Sequence, residues 1–351
     1  MPGLTLTGLP LRALTEMLGS RTRALAVRKW LFGARPLPAD LPARIPGVSA
    51  RSWQALRAAA PLPEWGLAER RAAPDGTVKL ALAFGPATVE TVLIPAPGRS
   101  TVCVSSQAGC TRECRFCATA SIGFSRALTA GEIVLQYAAA AAEADPAHPA
   151  RNVVFMGMGE PMDNLDAVLG ALEILTEAAA PRLSWTHLTV STSGVLPGMK
   201  RFLAESRAHL ALSLNATTDA ARELLMPHSR IWPIDALLAA LREDAARGTG
   251  RRYFIEYVLW QDLNDTDEDA RRLVGLLAGL PAHVNLIPHN PFEGNALAPP
   301  ADDRVLAFQS LVHEGGVRCL VRWPRGREIA AACGQLARSG AARGGGRATR
   351  G

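Results

Sequence analysis

Nowhere in the 351 residues do about 18 apolar residues run together, so no membrane-spanning helix is expected. The opening Met1-Pro2-Gly3 starts no charged segment leading into an apolar one, so no secretory signal is expected either. Cysteine is sparse: the chain has six, and four of them fall between positions 103 and 117. Such usage argues against a disulfide-stapled secreted framework and fits a reducing cytoplasm. Acidic residues are scarce at the start, where residues 1–60 hold two against nine Lys/Arg, net +7. They are wanting over 338–351, where Arg338, Arg343, Arg347 and Arg350 give net +4. With +6 overall, residues 61–337 carry −5. A basic appendage on an acidic body suits a polyanion partner. It equally suits a solvated helix face and an unfolded tail, and charge alone does not separate these. Hydrophobic content of 48% is ample for a core, and the length allows one large domain or two smaller ones.

What is present is a tight cysteine group, Gly109-Cys110-Thr111-Arg112-Glu113-Cys114-Arg115-Phe116-Cys117. Its CxxxCxxC spacing supplies three thiolates and no fourth. A [4Fe–4S] cluster takes one ligand per iron, so three cysteines leave one iron open to a small molecule. Closed metal sites are structural, and open ones do chemistry. The competing readings are a zinc site or buried free thiols. Zinc motifs usually pair two Cys or Cys/His halves, and here no second half is visible, with His148 and His187 standing apart.

Helical spacing of Leu11, Leu14, Leu18, Leu25, Trp30 and Leu31 predicts two short helices broken at Gly19-Ser20. A Pro-rich connector at 36–46 and a helix at 51–60 follow. Asp75-Gly76 predicts a hairpin between strands near 67–73 and 77–83, with a further strand from Val89 to Ile94. From 101 strands and helices alternate, predicting an α/β fold with a parallel sheet, open or rolled into a barrel. The strands fall near 101–106, 152–156, 187–191, 209–213, 252–259, 283–287 and 317–322. Glu160, Ser191, Ser213, Asn215 and Asn290 sit at their ends. Each alone reads as a cap or turn, but five at successive strand ends suggest one shared site, since such folds bind ligands there.

Together these residues resemble the radical S-adenosylmethionine superfamily, and more closely its dual-specificity RNA adenine-C2 methyltransferases. The resemblance rests on Thr101-Val-Cys-Val-Ser-Ser-Gln-Ala-Gly-Cys110, the cluster motif and Gly123-Phe-Ser-Arg126. It continues in Phe155-Met-Gly-Met-Gly-Glu-Pro161, Leu188-Thr-Val-Ser-Thr-Ser-Gly194, Asn285-Leu-Ile-Pro-His-Asn-Pro-Phe292 and Arg325-Gly-Arg-Glu-Ile-Ala-Ala-Ala-Cys-Gly-Gln-Leu336. These motifs span about residues 86–337, and the first 85 residues match more loosely. Ala120, Ala127, Asp163 and Asn215 depart from the family pattern, and none is a cysteine.

The resemblance implies a partial (β/α)6 radical SAM barrel with a small N-terminal helical and β accessory domain. In those terms residues 1–60 are a basic helical accessory domain contacting RNA, and 61–100 a β-hairpin extension. Residues 101–318 are the barrel, 319–337 a C-terminal segment with the methyl-carrying cysteine, and 338–351 a disordered basic tail. The implied target is carbon 2 of an adenine, an electrophilic amidine carbon. Ordinary methyl transfer fails there for want of a nucleophile, whereas a carbon radical adds to it. The resemblance assigns Cys110, Cys114 and Cys117 to the [4Fe–4S] cluster and Cys333 to carrying the methyl group. Cys103 would resolve the RNA tether through a disulfide with Cys333, and Glu90 is the matched proton acceptor. Pattern alone leaves Cys103 readable as a core thiol and Glu90 as a solvent-facing edge-strand residue. Cys319 has no matching role and reads as core.

For S-adenosylmethionine, the resemblance places Gly159 and Glu160 at the amino group, Ser191 and Ser213-Leu214-Asn215 at ribose and carboxylate, and Asn290 at the adenine edge. The implied partners are an unpaired adenosine of ribosomal or transfer RNA and an electron donor such as flavodoxin, with no membrane and a monomeric state. Trp30 and Trp53 among the arginines suit stacking on unpaired bases. The alternatives are methylation at adenine carbon 8 on the same scaffold, a radical SAM activase that needs neither Cys103 nor Cys333, and an RNA-binding module with structural zinc.

Overall fold

Leu11, Leu14 and Leu18 bury one face of α1 (Leu11–Leu18), and α2 (Arg21–Gly33) follows after the break at Gly19-Ser20. Helix α3 (Ala50–Ala59) starts where Ser49 Oγ accepts a hydrogen bond from Ser52 N at 3.2 Å. This computed structural model describes residues 5–33, 40–292, 295 and 297–336. The tail expected at 338–351 and positions 36–39 of the connector lie outside the described residues.

The three helices share a small core around Leu14, Val27, Trp53 and Leu56. One expectation needs correction here. Trp53 is 1% exposed, gives its indole N–H to Pro42 O at 2.8 Å and meets Trp30 edge-on at 6.4 Å. Three short helices need that apolar area to close a core, so Trp53 is not available to stack on a base. Arg28 is also buried, paired with Glu177 at 2.8 Å, and fastens the helices to the barrel instead of facing phosphate. Arg12, Arg21, Lys29, Arg44, Arg51 and Arg57 remain exposed and keep this surface basic.

Strands β1 (Gly66–Ala72) and β2 (Val78–Phe84) form the hairpin, with Asp75 Oδ1 accepting from Thr77 N at 2.9 Å in the turn. Strands β3 (Ala87–Ala96) and β4 (Arg99–Cys103) continue antiparallel. Next, β5 (Gln107–Gly109) and β6 (Phe124–Ala127) pair as a separate two-stranded ribbon, and α4 (Ala118–Ser121) lies between them in the chain. The alternation then runs α5 (Ala130–Ala142), β7 (Ala150–Phe155), α6 (Leu165–Thr176), β8 (Leu188–Thr192), α7 (Leu196–Glu205) and β9 (His209–Ser213). It ends with α8 (Asp219–Leu225), α9 (Ile234–Ala246), β10 (Tyr253–Leu259), α10 (Asp267–Leu277), β11 (Ala282–Pro288), α11 (Asp302–Glu314) and β12 (Arg318–Val321).

One sheet holds ten strands in the order β1-β2-β3-β4-β7-β8-β9-β10-β11-β12, parallel from β4 onward. Neighbours follow chain order without reversal, so the sheet rolls to one side with helices outside, as in a barrel. It stays open, since β12 pairs only with β11 among the described residues. The barrel strands bury apolar residues such as Val153 and Phe155, Leu210 and Leu212, or Val284 and Leu286, with the polar Glu256 and Asn285 buried among them. The expected boundary between 100 and 101 falls inside β4, so the extension and the barrel share one sheet. The short helix α8 is not among the sequence expectations.

Candidate active site

The strand ends of the barrel open onto a cavity of about 170 Å³. Cys110, Cys114, Cys117, Gly159, Glu160, Ser191, Ser213, Asn215, Asn290 and Cys333 all line it. Sequence positions up to 223 residues apart thus meet in one place because parallel strands all end on the same side.

The cysteine loop hangs between β5 and β6, closed at its base by Cys110 N donating to Gly123 O at 3.1 Å. Ala118 N donates to Gly334 O at 2.7 Å, which joins the loop to the segment carrying Cys333. Among the described residues no three His, Cys, Asp or Glu side chains converge as a single metal ion requires. A [4Fe–4S] cube takes each thiolate on a different iron, so it needs donors around a volume and not around a point. Three thiols lining one cavity fit the cluster. Burial pushes the Cys110 thiol up to about 11 and Cys114 well above the usual thiol range. Metal coordination is what holds such thiols ionised at neutral pH.

Glu160 is a fixed acceptor. Its Oε2 receives Ser193 N at 2.8 Å and Ser193 Oγ at 2.7 Å, and its Oε1 receives Met162 N at 3.0 Å. Burial raises its pKa, and these hydrogen bonds work against the rise. An ammonium group placed against it meets a carboxylate already held in position. Gly159 has φ of 98°, and a Cβ there would stand 2.5 Å from Gln107 Cβ, so no side chain fits.

Two members of the expected set support the site by other means. Leu214 is fully buried; its N–H goes to Glu256 O at 3.0 Å and its carbonyl accepts from Arg222 at 3.1 Å. The Asn215 amide is spent on Val258 N at 3.0 Å and Met226 Sδ at 3.3 Å, tying β9 to β10. Asn290 Nδ2 donates to Cys333 O at 3.2 Å, so the strand end holds the cysteine segment directly.

The Cys333 thiol opens into the cavity, yet the protein around it pushes its pKa up to about 11, through burial first and then the charge of Glu256. Cys103 does not line the cavity. It lies in the core at the end of β4, pushed up to about 12 by burial and then by Cys333. All six cysteines are free thiols. Glu90 does not line the cavity either. Strand β3 lies between β2 and β4, and Glu90 is 1% exposed, which overturns the edge-strand alternative. Its Oε1 meets Lys79 Nζ at 3.0 Å, and the same Nζ donates to Ala330 O at 3.0 Å, three residues before Cys333. Gly326 N donates to Asp75 Oδ2 at 3.2 Å, so the hairpin grips the cysteine segment twice.

Sequence reasoning missed Glu256. It lines the cavity, accepts from Asn285 Nδ2 at 2.8 Å and is lifted by burial to about 7. Its signal was legible: an ionisable residue inside the apolar run Tyr253-Phe-Ile-Glu-Tyr-Val-Leu259 is as costly as Glu90 unless partnered. Lys79, Ser193 and Arg222 were missed too, and no spacing marks them.

Residues 104–274 match the model of the radical SAM superfamily. A probable RNA methyltransferase of Sorangium cellulosum is 48% identical over 83% of this chain and 73% of its own. A protein of Myxococcus xanthus named dual-specificity RNA methyltransferase RlmN 2 is 40% identical over 94% of this chain and 88% of its own. The crystal structure of a radical SAM methyltransferase from Sphaerobacter thermophilus superposes with a TM-score of 0.86 at 38% identity, over 95% of this chain and 99% of that one. The chain therefore belongs to the RlmN family of radical SAM RNA methyltransferases, enzymes that work with a [4Fe–4S] cluster and S-adenosylmethionine.

Proposed function

We propose that this enzyme methylates carbon 2 of adenosine in 23S ribosomal RNA and in transfer RNA, with Cys333 as the methyl carrier. The supporting observation is the Cys333 thiol on the same cavity as Cys110, Cys114 and Cys117, with Cys103 in the core at the end of β4. Radical generation alone needs the first three and has no use for the other two. Cluster and cosubstrate, held by Cys110, Cys114 and Cys117, supply one electron and a carbon radical when bound. Glu160 and Gly159 hold the amino group of S-adenosylmethionine, and Ser191 and Ser213 its ribose and carboxylate, with Leu214 and Asn215 fixing that segment in place. Asn290 serves the adenine edge while anchoring Cys333.

Cys333 accepts a methyl group by polar displacement, the ordinary reaction of a thiolate sulfur. After hydrogen is removed from that methyl group, its carbon adds to the base and tethers RNA to Cys333. Glu90 or Cys103 takes the carbon-2 proton. The Cys103 sulfur then attacks the Cys333 sulfur: the S–S bond forms as the carbon–sulfur bond of the tether breaks, the released methylene carbon takes up a proton to become the methyl group, and the one unpaired electron would return to the cluster that supplied it. The exposed arginines and Lys29 of the first 60 residues bind phosphate, and the target adenosine leaves its stack to enter the cavity. We further propose flavodoxin as reductant, a monomeric state and a cytoplasmic site of action. No helix among the described residues is long and apolar enough to cross a membrane.

Intact-mass analysis of the anaerobically purified enzyme tests the carrier role: a methyl group is expected on Cys333. Chromatography of digested RNA should then show 2-methyladenosine. Full activity of Cys333→Ala, or the 8-methyl isomer as product, would overturn the proposal.

A further inference from the structure

Arg222 is wholly buried, at 0% exposure. Its Nε donates to Leu214 O at 3.1 Å, and its Nη2 to Ser193 O at 2.6 Å and Ser213 O at 3.3 Å. All three acceptors are neutral carbonyls at the ends of β8 and β9. Nη1 is buried and finds no hydrogen-bond partner among the described residues. Gly194 makes the room: a Cβ there would stand 2.8 Å from Nη2. A buried guanidinium with no carboxylate on its donors is costly, so the fold leaves a cation in want of an anion. Cys114 packs against Leu225 and Met226, where the helix bearing Arg222 ends. The helix bearing Arg222 is fixed to the same loop, since Leu225 O accepts from Arg115 N at 3.0 Å.

We propose that Arg222 is the counter-charge of the iron–sulfur cluster, with its Nη1–H groups turned to the Cys114 thiolate, and that it is a positioning residue raising the potential at which the cluster takes up its electron. The inference rests on the cluster being held by the three cysteines, not on which carbon of RNA is methylated. Three thiolates make the assembly anionic, and reduction adds a further negative charge. A fixed cation in a dry environment stabilises the reduced form more than the oxidised one. Arginine suits the position because it keeps its charge when buried and donates in several directions at once.

The test is a potentiometric titration of reconstituted wild type, Arg222→Lys and Arg222→Met, followed by electron paramagnetic resonance without S-adenosylmethionine. Arg222→Met should accept its electron at a more negative potential than wild type at equal iron content, and Arg222→Lys should recover most of the shift. A second measurement uses wild type labelled with guanidino-¹⁵N arginine: pulsed resonance of the reduced cluster should show a ¹⁵N coupling that is lost in Arg222→Lys. Equal potentials in wild type and Arg222→Met overturn the proposal. Absence of the coupling in wild type overturns it even if Arg222→Met fails to fold. Weakened S-adenosylmethionine binding at unchanged potential also overturns it, because the guanidinium then serves the cosubstrate's carboxylate. Wild type that binds no iron would instead sink the assignment of the three cysteines.

Discussion

The Lys79–Glu90 pair is open to a decisive perturbation. The two side chains are 2% and 1% exposed and meet at 3.0 Å. At an effective dielectric of about 20, opposite charges at that distance attract by about 5 kcal/mol, and salt barely reaches them. Removing one partner of a buried pair leaves an uncompensated charge and costs about 3–5 kcal/mol. Lys79→Met and Glu90→Gln should therefore each lower stability by about that amount in urea denaturation followed by circular dichroism. The double variant should cost about 2–3 kcal/mol less than the sum, because neither charge is left behind. The coupling should be the same in dilute buffer and in about 1 M salt. Lys79 also holds Ala330 O, so Lys79→Met should speed amide exchange over residues 326–333 more than in α10. Single costs that add to within about 0.5 kcal/mol, or a coupling that vanishes in salt, would refute the closed pair.

Further outcomes follow from other sites. Gly159→Ala should fold poorly or lose S-adenosylmethionine binding at least tenfold, measured by equilibrium dialysis, because its Cβ collides with Gln107 at 2.5 Å. Folded Glu256 holds its proton more tightly than the unfolded chain does, at about 7 against 4.5. That contribution to stability is full below the unfolded value and is lost as pH rises through about 7. Glu256→Gln should accordingly gain about 3 kcal/mol over wild type on going from pH 4 to pH 8, read from urea midpoints across pH. Trp53→Ala should cost about 3–5 kcal/mol of stability, as loss of a core aromatic does. Unchanged stability with weakened RNA affinity would restore the stacking role.

The alternation of strands and helices was legible because the barrel strands are mostly short apolar runs and the longer helices keep a 3.6-residue period. The seven barrel strands appear within a few residues of their expected positions. Short α8 has too few residues to display a period, and it carries Arg222. The cysteine spacing pointed to a cluster because Cys110, Cys114 and Cys117, the proposed ligands, sit on one loop. Pairings between distant segments leave no such mark: Lys79 with Glu90 and Ala330, Glu160 with Ser193, Asn290 with Cys333. Trp53 was misread for the same reason, since an aromatic among arginines looks alike whether its ring faces solvent or a three-helix core.

By itself, then, the order of residues determined most of the elements, the three-cysteine loop and the polar residues at the strand ends, since each depends on neighbours within about ten positions. Tertiary structure alone decided which buried charges face one another and that Cys333 opens onto the cavity of Cys110, Cys114 and Cys117. The reason is electrostatic and geometric: a charge is tolerated inside a protein only by the groups within a few ångströms of it. In a rolled parallel sheet those groups come from strands far apart in the chain.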